Sequence, residues 1–179
     1  MAKLQKETYI SDILDRLSGL AYNVELRGSL NLLDLHVISE DFYVDLLNLI
    51  YGWKLRNANS LQQNAPGIDL VDDSNRILAQ VTGTSTKGKI DHSLKEIPEK
   101  YTGYHFYFVP IVIDAKEQRK YKYNPPHKVV FNPKTDMLGI DLFWRQTGND
   151  YHVQRMNLSS ERRLTLNKNF FHFVNKICS

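Results

Sequence analysis

Apolar residues return at Ile10, Ile13, Leu14, Leu17 and Leu20 with charged residues between them, the period of an amphipathic helix over residues 3–20. Residues 21–38, with Leu30, Leu32, Leu33, Leu35 and Val37, show no clean period and read as a mixed connector or short helix. A second helix is expected from Ser39. That serine reads as the N-cap, Glu40 and Asp41 as the first turn, and Phe42, Leu46, Leu49, Ile50 and Trp53 as the apolar face.

The pattern then changes. Two short apolar runs, 68–71 and 76–81, flank Asp72-Asp73-Ser74-Asn75, which predicts a β-hairpin. A Gly/Ser/Thr/Lys loop over 83–88 leads into a short helix with Ile90, Leu94 and Ile97 on one face. YHFYFVPIVI reads as a buried strand with Pro110 near its end, residues 128–131 as another short strand, and Leu166, Phe170, Val174 and Ile177 as a closing helix. Helix, helix, strand, strand, helix and strand in that order predict an α/β sandwich whose small mixed sheet is flanked by helices. No boundary divides it, so residues 1–179 form one domain, a core over about 3–135 closed by helical residues 136–179.

Composition narrows the setting. Hydrophobic residues at 42% and charged residues at 24% describe a globular chain, and the single cysteine, Cys178, excludes an internal disulfide or a cysteine zinc cluster. The lone cysteine favours a reducing, cytoplasmic setting, and no stretch approaches the roughly 18 apolar residues of a membrane span. A net charge of +3 permits an anionic partner without demanding one.

The chemistry concentrates in residues 64–90, NAPGIDLVDDSNRILAQVTGTSTKGKI. With a 72–75 turn, Asp69 stands opposite Leu78 and shares a sheet face with Gln80 and Thr82. An aspartate beside an amide carbonyl is a hard-oxygen site suited to Mg²⁺ or Mn²⁺. Metal-assisted phosphodiester hydrolysis also needs a cation near the phosphate, for which Lys87 and Lys89 are candidates, and Glu40 is a candidate further oxygen ligand. Plainer readings stand beside these: Asp69 as a turn aspartate, Gln80 as a core amide, Glu40 as a charge in a first helical turn, and the lysines as solvated loop residues. Lys116, Arg119, Lys120, Lys122 and Lys128 interleave with Tyr121 and Tyr123, a composition that suits phosphate contacts and base stacking, or simply a solvated loop. The six histidines show no metal spacing, and His92 reads as a helix surface residue.

Glu40 on a helix, Gly67-Ile68-Asp69, and Gln80-Val81-Thr82 together resemble the PD-(D/E)xK nuclease superfamily, and SEDF, NAPGIDLVD, AQVT and KI resemble the SMEK domain. The resemblance covers about residues 3–100. It implies a restriction-endonuclease-like fold, DNA as partner, and a place at the N-terminus of bacterial proteins of conflict and phage defence, alongside a further effector domain or in a homo-oligomer. Thr82 departs from it. Active members of the superfamily usually carry lysine there, some Mrr-like branches as Q-x-K, so a catalytically inactive interaction module is the alternative.

Overall fold

In the computed structural model the described residues are Asp15, 18–26, 34–58, 67–111 and 115–139. Most of the expected first helix and all of the expected closing helix lie outside them. The chain is a mixed α/β fold in which a four-stranded sheet has the order β1-β2-β3-β4. Its strands are β1 Arg56–Asn57, β2 Leu70–Asp72, β3 Ile77–Thr82 and β4 His105–Pro110. The first three run antiparallel, whereas β3 and β4 are parallel. A parallel pair needs a crossover, and α3, Lys87–Lys95, supplies it.

Helices cover both faces. Residues 18–26 form α1, which buries Ala21 and Val24. The second helix, α2, spans Asp34–Tyr51 and buries Phe42, Tyr43, Leu46 and Leu47 against Leu70, Ile77, Ala79, Val81 and Val109. On the opposite face Val71, Leu78, Phe106 and Phe108 pack on Ile90 and Leu94 of α3, on Ile97 and on Val129. All six residues of β3 are buried, and only Gln80 and Thr82 among them are polar. Each fully buried Leu, Ile or Phe contributes about 1.5–3 kcal/mol, so these two cores hold the layers together.

Several local expectations are corrected. Within 21–38 the described residues are helical, 21–26 as the end of α1 and from Asp34 onward as the start of α2, which agrees with the short-helix alternative. Ser39 is therefore not an N-cap, and Glu40 lies in the second turn of α2 rather than the first. The hairpin turn is 73–76, one residue later than the sequence suggests, and Asp72 is the last, buried residue of β2. Residues 128–131 make an isolated bridge, His105 to Val130, rather than a strand. Pro110 ends β4, as expected of a residue that cannot donate to a ladder.

At the end of α2, Gly52 takes φ of 70° and donates from its N–H to the Asn48 carbonyl at 2.9 Å, turning the chain out of the helix. Asn48 then clasps Leu55, donating to its carbonyl and accepting from its N–H. Between these anchors Trp53 is stacked on Tyr51, with ring centroids 4.4 Å apart, and tilted against Tyr107 at 4.6 Å. Tyr107 stacks in turn on His105, also at 4.6 Å. Four aromatic rings from α2, its exit and β4 thus form one continuous pile.

Candidate functional site

The register of β2 on β3 pairs Leu70 with Ala79 and, continued by one residue, sets Asp69 against Gln80. The expected partner, Leu78, is opposite Val71 instead. A slip of two residues keeps every side chain on its face, so Asp69, Gln80 and Thr82 still point the same way. Gln80 Nε2 donates to Asp69 Oδ2 at 2.5 Å, and the Val81 N–H donates to the same oxygen at 2.7 Å. The backbone of Asp69 is held as firmly, its N–H on the Ala79 carbonyl and its carbonyl accepting from the Ala58 N–H.

Burial decides the electrostatics. It pushes the Asp69 carboxyl up to about 7, helped by the negative charge of Glu40 and opposed by the Val81 N–H, the Lys89 ammonium and the Gln80 amide. Glu40 is raised as well, first by burial; a hydrogen bond with the Asn57 side chain works against this, and the charge of Asp41 adds to it. Two carboxyl groups from α2 and the start of β2 therefore act on one another, with an amide and one ammonium at hand. Asn57 is a member that sequence reasoning missed. It sits in a two-residue polar strand, too short for any period to show.

Lys87 and Lys89 are not loop residues, because α3 begins at Lys87 and its N-cap, Thr86, accepts from the Lys89 N–H. The two lysines part company there. Lys89 is the one whose charge acts on Asp69, whereas Lys87 pairs with Asp91 and lies over the Tyr123 ring at 5.6 Å. Thr82 Oγ1 accepts from the Thr84 N–H and shapes the turn that leads into α3. His92 is exposed on α3, as expected.

The basic segment falls elsewhere. Arg119 Nη2 donates to the Met137 carbonyl at 3.0 Å and is half-buried, while Lys120 pairs with Glu117 at 2.5 Å. Lys116, Lys122 and Lys128 are exposed. Among the described residues no three His, Cys, Asp or Glu side chains gather as a metal cluster. The donors at hand are two carboxylates and the Gln80 amide, which fit a hard divalent ion that completes its shell with water.

Compared with protein families, the chain matches the SMEK domain over residues 12–147, well over half its length. It belongs to the SMEK domain family. The match takes in Glu40, Asp69, Gln80 and Lys89, so the whole constellation lies inside the SMEK domain. No curated protein and no solved structure matches the chain. Among the described residues of this SMEK domain, no helix is long and apolar enough to cross a membrane.

Proposed function

We propose that this SMEK domain is a nuclease-like, DNA-directed module that hydrolyses phosphodiesters with Mg²⁺ or Mn²⁺, built on a PD-(D/E)xK-type core. The observation that carries the reading is the convergence on Asp69 of Gln80, Glu40 and Lys89, with its carboxyl pushed up to about 7. A buried carboxyl repelled by a second one is costly without a cation and favourable with one. Glu40, Asp69 and the Gln80 amide would hold the ion, which when bound supplies Lewis-acid stabilisation of the phosphate. Lys89 takes the part of the lysine that Thr82 leaves vacant, placing positive charge beside the carboxylates from the first turn of α3. In the Gln80–Asp69 hydrogen bond the amide fixes the orientation of the carboxylate. The resemblance to defence proteins supports a cytoplasmic role in bacterial anti-phage defence, with an effector domain or a second copy as partner.

The test is nicking of supercoiled plasmid with Mg²⁺ or Mn²⁺. Asp69→Asn and Lys89→Ala are each expected to lower the rate on the order of 100-fold or more, and Lys87→Ala by no more than about 10-fold. Absence of metal-dependent cleavage by the wild type, of the plasmid and of a single-stranded oligonucleotide alike, sinks the catalytic reading. It favours the second one, an inactive interaction module, which the Thr82 side chain tied into its own turn supports.

A further inference from the structure

Resting on the site just proposed, and deepening it, we propose that the SMEK domain takes its nucleic acid as an unpaired strand, led along the first turn of α3 with a base stacked on Tyr121. Tyr123 lies against that turn. The Lys87 ammonium lies 5.6 Å from the Tyr123 ring centroid, and the Tyr123 hydroxyl donates to the Gln118 carbonyl at 2.9 Å. Tyr123 also packs edge-on against Phe131, with centroids 5.5 Å apart, so it is a fixed post rather than a waving loop residue. Two residues before it Tyr121 is 46% exposed, one of the few large apolar side chains the described surface leaves open. Exposed Lys122 lies between them.

These residues make one strip. It begins at Lys89, whose charge acts on Asp69, crosses the first turn of α3 over exposed Gly88, and reaches Lys87 on the opposite flank of the helix. From there it crosses to Tyr123 and ends at Lys122 and Tyr121. Alternating cations and rings suit a single strand, because phosphates meet ammonium groups while base faces meet aromatic ones. The Lys87–Asp91 pair does not block this: it is a surface pair between half-exposed side chains, weakly held and open to exchange for a phosphate.

The described residues suit a duplex less well. A base in a duplex hides both faces, so an exposed ring gains nothing from it by stacking. Groove readers project a helix or a two-stranded ribbon. Here α3 buries Ile90, Ser93 and Leu94 against the sheet, and the β2–β3 turn, 73–76, has no excess of positive charge, its Asp73 being paired with Arg56. A net charge of +3 over the chain also leaves modest electrostatic attraction, so stacking must carry a share of the affinity.

Fluorescence anisotropy with a labelled oligothymidylate and a blunt duplex of equal length, in the absence of divalent metal, tests this directly. The strand is expected to bind on the order of 10-fold more tightly than the duplex, and Tyr121→Ala to remove about that factor while Tyr121→Phe keeps it. Lys122→Ala should weaken strand binding and lower its salt dependence, as loss of a phosphate contact does. Equal or tighter binding of the duplex, or a Tyr121→Ala variant that binds the strand like the wild type, overturns the proposal. Selective strand binding without metal-dependent cleavage supports the strip and removes the catalytic reading. Cleavage by the wild type that Tyr121→Ala leaves untouched removes the strip alone.

Discussion

Above neutral pH the Asp69 carboxyl is charged in a place that disfavours charge. Its folded value, about 7, lies above its ordinary value of 3.8, so folding takes up a proton between the two. The stabilising contribution of that proton is complete below the ordinary value and is lost as pH rises through the folded one. Asparagine in its place has nothing to titrate, and its side-chain oxygen can still accept from the Val81 N–H and the Gln80 amide. Asp69→Asn should therefore melt higher than the wild type near pH 8, by an amount that shrinks as pH falls and closes near pH 4. Thermal melts across that range check it, and a gap that stays constant or grows toward acid would contradict the assignment. Mn²⁺ should raise the melting temperature of the wild type and not of Asp69→Asn. Glu40 is raised in the same direction, so Glu40→Gln should show the same sign.

Two glycines with nearly the same backbone angle separate the elements that frame the site. Gly52 has φ of 70° with nothing within 4 Å of an added Cβ, so alanine there meets only the left-handed penalty, roughly 1–2 kcal/mol. Gly67 has φ of 74°, and an added Cβ would lie 2.4 Å from the Ser93 carbonyl oxygen on α3. Gly67→Ala must push α3 from the hairpin two residues before Asp69 and should cost on the order of 3–5 kcal/mol. Chemical denaturation of both variants tests the difference, with loss of metal-induced stabilisation expected in Gly67→Ala alone. Elements of this kind were partly legible. Turn residues and period-two alternation placed Asp69 and Gln80 on one face, because a buried strand admits few polar positions. The register was missed by two because Arg76 closes the turn at φ of 56°, a conformation that a residue with a Cβ seldom adopts and that no propensity announces. Asp72, which looked like a turn residue, instead accepts from the Lys54 N–H and from Asn75 inside the fold. The start of α2 was missed for a different reason. Ser39 followed by two acids imitates a cap, yet residues 34–38 include no Gly or Pro to stop a helix that begins at Asp34.

For the molecule as a whole, charge sets how tightly an anionic partner is held. With Lys89, Lys87 and Lys122 as phosphate contacts, log affinity for single-stranded DNA should fall against log salt with a slope of about −2. A flat line would remove the electrostatic contacts, and a slope near −10 would demand a far larger basic surface than the described residues offer. The choice between Lys87 and Lys89 shows why sequence alone stopped short of the site. Both lysines fall in the same short motif, and they take different neighbours because α3 begins at Lys87 and sends side chains two residues apart to opposite flanks.

The pile of rings at the exit of α2 has an optical consequence. An indole held 4.4 Å from one phenol and 4.6 Å from another couples to both in the excited state, and the pair should give a strong near-ultraviolet circular dichroism band. The chain has two tryptophans, so Trp144→Phe leaves Trp53 as the sole long-wavelength emitter. Its emission then reports whether the end of α2 is seated on β4. Tyr107→Leu should weaken the band, leaving the share that comes from Tyr51, and shift the emission, while leaving metal-induced stabilisation at Asp69 in place.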